Sequence, residues 1–548
     1  MNLHMPIMNM YLIKICRPIE IFMAQLMTSV GQFRISALQS LTSPRKLKRS
    51  TTQLMILSWQ LLILIFWQLM ILILFFSQSL SAQSDSTEVE VSLAQIVAMA
   101  KAKSIESKQA STRKETKYWE YRVYRSNYQP QLLLSGTLPA YSKTFSQVIQ
   151  PDGTIQFQPI HNNNSSLELN FSQSIAATGG TIFGTTQLQR FDDFDRKNRL
   201  YNSVPFGIGY SQPLFQFNTL KWDKKIEPLK YNESRQAFIE SMENISISAT
   251  DYFFNLLIAQ VNFDIAKTNL ENTKKIMAVA MEKLEIGRIS KNEILQLQLE
   301  QLKAEKSIGI SRRDMEIALL NLKAYTGMNA VKSIKLALPA TITTMTVETD
   351  KVLAEAYANR SDAIAFMRQI AEAKRDLTKA KADNGLNAAL TARLGYSQAG
   401  VSIPKAYRSP QDQQLLQLEF TIPILDWGRS KSRTKTAEAN LKLAEYTVEQ
   451  DRQNFTQEIV TQVTLYEMMK DQVAISAKAD SIASEKYNIA RERYVLGNLS
   501  ITDLSIAFQE KDQGKRDYIA ALRDFWGAYY QLRYLSLYDF ERNQKINY

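Results

Sequence analysis

Proline is absent from residues 229–338 and again from residues 424–548. Proline inside a helix costs about 3 kcal/mol, so both stretches permit helices far longer than a globular domain holds. Their patterning points the same way. Ile245, Ala249, Tyr252, Leu256, Ala259, Phe263, Ala266, Leu270, Met277 and Leu284 follow one another at steps of three, four or seven residues. That is the heptad spacing of a coiled-coil seam, and it implies a left-handed supercoil. Val448, Phe455, Ile459, Val463, Tyr466 and Val473 form a similar series. A rod of about 65 residues spans roughly 100 Å at 1.5 Å per residue.

The two proline-free stretches are copies of one plan. Pro213 and Pro423 open them, Gly287 and Gly497 interrupt them, and Ser290 and Ser500 follow, every pair offset by 210 positions. A period this long makes two large halves and not a solenoid of short units. Within each half the same order recurs. Short helical material comes first (92–126 and 351–383), then strand-like segments, a long helix, a glycine turn and a returning helix. The first repeat is therefore expected over 83–340, with strands at about 131–213 and a helical hairpin at about 219–327. The second is expected over 341–548, with strands at about 389–423 and a hairpin at about 429–538.

The strand segments alternate. Leu416, Leu418, Phe420 and Ile422 are separated by Gln417, Glu419 and Thr421, and Leu390, Ala392, Leu394 and Tyr396 by Thr391, Arg393 and Gly395. Leu167, Leu169 and Phe171, and then Phe206, Ile208 and Tyr210, do the same in the first half. Period-two alternation gives each strand one apolar and one polar face. It suits a half-buried soluble sheet or an outer-membrane barrel, apolar outside and wet inside; rods of this length favour the barrel. From Pro130 to Pro213 the first half is longer than the matching interval Asn387 to Pro423 by about 47 residues. The excess holds the turn signal Ile175-Ala-Ala-Thr-Gly-Gly180, so it is either an added hairpin or long external loops. Tyr141, Phe145, Phe157 and Phe183 are candidates for an interfacial aromatic girdle or for loop packing.

Charge and composition narrow the function. The formal net charge is +12, but residues 1–82 carry seven Lys/Arg against one Glu, which leaves the remainder nearly balanced. No basic patch interleaved with aromatics marks a nucleic-acid surface. Residues Leu54 to Phe76 form an apolar run preceded by Arg45, Lys46, Lys48 and Arg49 and followed by Ser77-Gln-Ser-Leu-Ser-Ala82. This is the pattern of a secretory signal over 54–82, with a retained span as the alternative; residues 1–53 read as an upstream segment with a misassigned start. One cysteine, Cys16, and two histidines, His4 and His161, exclude a zinc site, a Cys-His catalyst and a disulfide framework. No catalytic residue, metal ligand or cofactor is expected.

Together these features resemble the TolC-like outer-membrane efflux proteins across Ser92 to Phe540. The residues that carry the resemblance are Pro423-Ile-Leu-Asp-Trp-Gly428, the Gly287-x-x-Ser290 and Gly497-x-x-Ser500 turns, Asn359-Arg-Ser-Asp362 and Leu532-Arg-Tyr-Leu-Ser-Leu-Tyr-Asp539. The resemblance implies a mainly α fold with a transmembrane β-barrel part: a homotrimer with one shared barrel in the outer membrane and an α-barrel tunnel in the periplasm. It implies a passive conduit for small molecules or polypeptides, docked on a periplasmic adaptor (membrane fusion protein) and an inner-membrane transporter, in the outer membrane of a Gram-negative bacterium.

The turns have two readings. Ser290-x-x-Glu293 and Ser500-x-x-Asp503 each fit a capping box, which needs no further function. In the resembled family this turn is the tip that meets the adaptor, which implies docking roles for Gly287, Arg288, Ser290, Gly497, Asn498 and Ser500. The family also constricts its pore with Asp residues six and nine positions after the second glycine and a Tyr three before it. Asp503 and Tyr494 match, Ile506 replaces the second Asp, and Leu499 stands where some members have Arg. Glu293 occupies the position matching Asp503 in the first repeat, and in a trimer six such carboxylates would form a cation-favouring ring. A periplasmic adaptor would carry one hairpin and not two, and a membrane-anchored coiled-coil protein would leave the alternating strands unexplained.

Overall fold

The computed structural model describes residues 89–328, 334–339, 342 and 345–548. The upstream segment and the export signal expected over 54–82 lie outside these residues. The first half runs β1 (Val89–Val91), α1 (Leu93–Lys103), α2 (Ile105–Ser126), β2 (Gln131–Thr137), β3 (Tyr141–Ile149), β4 (Ile155–Ser174), β5 (Thr181–Asp193), β6 (Asn198–Leu214), α3 (Thr219–Glu285) and α4 (Lys291–Thr326). β7 (Ile334–Leu336) ends the first half, and the second runs α5 (Thr349–Asn359), α6 (Ser361–Asp383), β8 (Asn387–Gly400), the single turn α7 (Ile403–Ala406), β9 (Gln411–Thr421), α8 (Arg429–Val495) and α9 (Ile501–Ser536), with the short pair β10 (Tyr538–Asp539) and β11 (Gln544–Lys545) after it.

The rods α3 and α8 are each 67 residues long and their returning partners α4 and α9 each 36. Each rod therefore packs against its return along one part of its length, and against α2 or α6 along the rest. α3 continues past Pro228, where Ile226 beside it is almost wholly buried. The heptad residues Ile245, Ala249, Leu256, Ala259, Ala266, Val448, Phe455, Ile459, Val463, Tyr466 and Val473 are all buried. All of these except Ala259 and Ala266 join Phe253, Phe254, Leu522 and Phe525 in one core shared by both halves, with the Tyr466 and Phe525 rings 5.5 Å apart.

Charged locks fasten that core. Arg360 is buried, and its guanidinium donates to Asp362 (2.9 Å) and to the Tyr534 carbonyl (3.1 Å). Ser361 donates its N–H and hydroxyl to Glu240 at 2.7 and 2.8 Å. The Glu243 side chain is 0% exposed, paired with Lys101 at 2.8 Å and Arg533 at 3.1 Å, and it also accepts from the Tyr548 hydroxyl. Arg533 reaches on to Asp539 at 2.6 Å. The polar residues of Asn359–Asp362 and Leu532–Asp539 thus tie α1, α3, α5 and α9 together.

The strands form one antiparallel sheet in the order β2-β4-β5-β6-β8-β9, with β3 also on β4. β2 pairs with residues 166–172 of β4 and β3 with residues 155–163, so seven strands make six staves. The long excess of the first half is an added hairpin: β4 and β5 are joined by the tight turn at 175–180 and inserted into the wall. Asn218 fixes that turn to the first rod. Its side chain accepts from Lys221 N–H (3.0 Å) to cap α3 and donates to the Ala176 carbonyl (3.0 Å). Pro205 falls inside β6, and the ladder to β8 shifts register there, between Ser203 and Phe206, which is how a central strand tolerates a missing donor.

Register sorts the side chains. Leu132 faces Phe171 and Leu134 faces Leu169 across β2–β4; Phe171 and Leu167 face Gly184 and Leu188 across β4–β5. Ile182 lies beside Tyr210, Ile208 beside Leu394, Phe206 beside Tyr396, and Leu390 and Ala392 beside Leu418 and Leu416. One apolar face therefore crosses all six staves. The other carries Glu168, Asn170, Thr185, Gln187, Thr391, Arg393, Gln417 and Glu419, with Leu133, Phe183, Phe191, Val204 and Leu415 among its apolar exceptions, and Arg393 donates to the Thr185 hydroxyl at 3.2 Å. Tyr141, Phe145 and Phe157 fall on the apolar face through pairing with β4, as a girdle requires. Phe183 falls on the polar face, where its ring covers Gly209 so closely that a Cβ there would come within 2.3 Å. Among the described residues no helix is long and apolar enough to cross a membrane.

Glu243 titrates below its usual range: burial opposes its charge, and the Lys101 and Arg533 charges outweigh that opposition. Lys101 is held below its own usual value by burial in spite of Glu243, so Arg533 is the firmer anchor. A depressed carboxyl pKa contributes stability above the unfolded value and loses it as pH falls through the folded value. Glu243→Ala leaves two buried cations short of a partner and is expected to cost about 3–5 kcal/mol. Denaturant unfolding of the variant at neutral pH, set against acid titration of the wild type, measures both effects.

Candidate functional site

The rods turn back at two equivalent tips. Gly287 N–H bonds the Leu284 carbonyl (2.9 Å) and Arg288 N–H the Lys283 carbonyl (2.8 Å), while Gly497 and Asn498 bond Tyr494 (3.0 Å) and Arg493 (2.9 Å) in the same way. This pair of bonds closes the last carbonyls of a helix when the residue after its cap is left-handed. Gly287 has φ +72° and Gly497 φ +83°, and an added Cβ at either meets nothing within 4 Å. Backbone handedness alone therefore selects glycine here, and the space around both turns is open. Arg288, Ser290, Asn498 and Ser500 are exposed beside them.

The next helices start from Ser290 and Ser500, and the two caps differ. Ser290 accepts from Glu293 N–H (3.3 Å) and Glu293 reaches back to Ser290 N–H (2.8 Å), a complete capping box. Ser500 accepts from Asp503 N–H (3.1 Å), but the Asp503 carboxylate takes the Ser500 hydroxyl (2.7 Å) and not its N–H. The box expected at the second tip is thus only half formed, because aspartate is one methylene too short.

Tyr494, expected at a constriction, is 4% exposed and packs with Ala280, Ile294, Leu297, Ile501 and Leu504 in a small core between the two hairpins. Burial, and then the charge of Glu293, raise its phenol pKa. Asp503 instead lines a groove with Ile482, Lys486 and Arg493 of its own hairpin. Sequence reading missed Lys283, whose ammonium donates to the Tyr494 carbonyl at 2.7 Å and lies 4.7 Å from the ring centroid. The 210-residue offset pairs Lys283 with Arg493, and a cation at both positions is the signal that pointed to it.

Above the tips, a cleft of about 600 Å³ opens between the hairpins, lined by Asn269, Leu297, Tyr487, Leu504, Asp512 and Arg516 among others. Asn269 donates to Asp512 at 2.5 Å. Among the described residues, Asn269 Oδ1, Tyr487 OH and Asp512 Oδ1 are buried without hydrogen-bond partners. Lys511 Nζ stands 3.8 Å from Asp512 Oδ1, beyond hydrogen-bonding reach. Burial raises the Asp512 pKa in spite of the Asn269 hydrogen bond and the Lys511 and Arg516 charges.

A sheet apolar on one face and polar on the other, carried on two rod hairpins, defines a channel-forming protein of an outer membrane. A family model described as outer membrane efflux protein matches residues 98–328 and 352–536, and the chain belongs to that family. It is an outer-membrane efflux channel. Solved structures of the same fold include the Campylobacter jejuni CmeC outer membrane channel (TM-score 0.58, 15% identity, 81% of this chain and 85% of that one). Others are the outer-membrane channel OprN (0.60, 15%, 81% and 89%) and the Neisseria gonorrhoeae MtrE outer membrane channel (0.56, 15%, 81% and 88%). No curated protein matches the chain.

Asp512 yields a test of the cleft. A carboxyl raised in the folded state binds protons that the unfolded chain has released, so its contribution to stability falls as pH rises from the usual aspartate range through the folded pKa. Asp512→Asn keeps the acceptor for Asn269 and supplies a donor for the unpartnered Asn269 Oδ1. Relieving a buried unsatisfied group is worth about 1–3 kcal/mol. The variant is expected to melt higher than wild type at pH 7, with the gain shrinking toward pH 4; a wild-type melting curve at both pH values would contradict this.

Proposed function

We propose that three copies of the chain form one conduit: their sheets share a barrel in outer-membrane lipid, their rods enclose a periplasmic tunnel, and cargo passes without covalent chemistry. The observation that carries this is the mainly apolar face that crosses all six staves, from Leu132 to Phe420, joined directly to rods too long for any compact domain. At their far ends, the Gly287 and Gly497 turns with Arg288, Ser290, Asn498 and Ser500 receive a periplasmic adaptor, which couples the conduit to an inner-membrane transporter. What supports the docking role is the open space around both glycines and the exposure of the side chains beside them.

The closed pore on this reading is narrowed near the same level. Glu293 and Asp503 supply the ring of carboxylates, two from each protomer, and Tyr494 holds the two hairpins together through Lys283. A periplasmic adaptor as the identity of the chain itself is disfavoured by the second hairpin and by the width of the sheet.

Two measurements test the proposal. Arg288→Glu together with Asn498→Glu is expected to reduce recovery of the channel on a tagged cognate adaptor at least tenfold, and undiminished recovery removes the docking role. In planar bilayers, Glu293→Gln with Asp503→Asn is expected to lower cation-over-anion selectivity severalfold while single-channel formation persists. Unchanged selectivity removes both carboxylates from the pore.

A further inference from the structure

The six-stave sheet ends on two bare edges. Every residue of β9 is exposed, and so is every residue of β2 at the other side. The apolar face of this sheet suits it to hydrocarbon, where unpaired backbone N–H and C=O groups each cost several kcal/mol and open edges do not occur. The sheet does not close on itself, since its outermost staves pair only inward. Nor would six staves ring a channel, because eight already leave an interior only wide enough for side chains to fill.

We infer that the β4–β5 hairpin widens the wall, so that three copies close an eighteen-stave barrel in which β9 of one copy pairs antiparallel with β2 of the next. This rests on the trimer proposed above. The second half contributes two staves, β8 and β9, and the first contributes four; without the hairpin the same trimer would have twelve. An even number per copy puts β2 and β9 in opposite directions, so the junction between copies continues the up-and-down pattern.

The occupant of each edge is a second copy because both edges carry apolar side chains at one level, where strands hand over to helices. Beside β9, Ile424 is 96% and Trp427 90% exposed. Beside β2, Trp119, Val123, Leu132 and Leu133 are exposed. Strand pairing brings these two sets together and covers both. The hairpin belongs to the wall and not to a plug: it is hydrogen-bonded along both sides, to β2 and to β6, and its Phe171 and Ile182 lie on the apolar face. Barrel diameter grows about linearly with stave number, so the bore is about half again that of a twelve-stave wall. The size limit on cargo then falls at the rod tips.

The test uses the full chain with Cys16→Ser as background. Ser135→Cys on β2 is combined in turn with Gln413→Cys, Leu415→Cys, Gln417→Cys and Glu419→Cys on β9, and the membranes are oxidised. One register is expected to give a covalent trimer on denaturing gels. Separately, Phe171→Cys, Ile182→Cys and Asn170→Cys each carry an environment-sensitive fluorophore in vesicles of brominated phosphatidylcholine. The first two are expected to lose emission severalfold relative to unbrominated lipid, and the third to keep it. A covalent trimer with Phe171 and Ile182 sites unquenched overturns the eighteen-stave wall and leaves the trimer standing. Absence of covalent trimer in all four registers overturns the wall and the shared barrel together.

Discussion

The protein depends on the lateral packing of helices that have no stability alone. A 67-residue helix exposes far more backbone and apolar surface than its own hydrogen bonds can hold in water, and helix stability in proteins comes mainly from packing of one face. Here the heptad seams of α3 and α8 meet their returning helices near the tips, and α2 and α6 nearer the sheet. Both rods pass through a single middle core of Phe253, Phe254, Tyr466 and Phe525. Every other element is placed by that crossing. The charged locks around Glu240 and Glu243 add specificity to it: each joins segments distant in sequence, and neither tolerates a shifted helix without stranding a buried charge.

At the membrane end the controlling requirement changes from packing to backbone satisfaction. A sheet in hydrocarbon has to place every peptide group in a ladder, and its outward side chains have to be apolar. Pairing across β2, β4, β5, β6, β8 and β9, with register shifts only between Thr185 and Gln187 and between Ser203 and Phe206, meets the first demand inside the sheet and leaves its two edges uncovered. The insertion of β4 and β5 shows how such a wall can widen without disturbing the rods. A hairpin added between existing staves leaves the strands next to the helices where they were, and Asn218 anchors the new turn to the cap of α3.

Much of this is legible in the residues. The absence of proline after Pro228 and Pro423, the heptad series and the 210-residue offset set the rods, their turns and the duplicated order. The alternation at Leu416–Ile422 and Leu390–Tyr396 set the strand faces. The fate of the extra residues between Pro130 and Pro213 could not be read, because polar runs such as Asn162-Asn-Asn164 suit an exposed loop and a strand end equally, and only pairing with Phe191–Asp193 distinguishes them. Phe183 misled for a related reason: aromatic character does not reveal which face a strand presents, whereas its pairing opposite Gly209 does. The hydrogen bonds of Lys283 and Asn269 could not be read, because their partners, Tyr494 and Asp512, lie in the other half of the chain.

The tips show what duplication leaves free to diverge. Both need a left-handed residue and a serine cap, and both keep them. The third element, the acid three residues after the serine, differs by one methylene. Glu293 closes its box and spends an oxygen on the Ser290 backbone, and it is half-buried. Asp503 fails to reach the Ser500 backbone, keeps only the hydroxyl contact, and stays exposed. The shorter acid therefore stabilises its helix less and holds its charge more openly. At two equivalent positions, one methylene thus decides whether the carboxylate is tied to the backbone of its cap or only to the cap's hydroxyl.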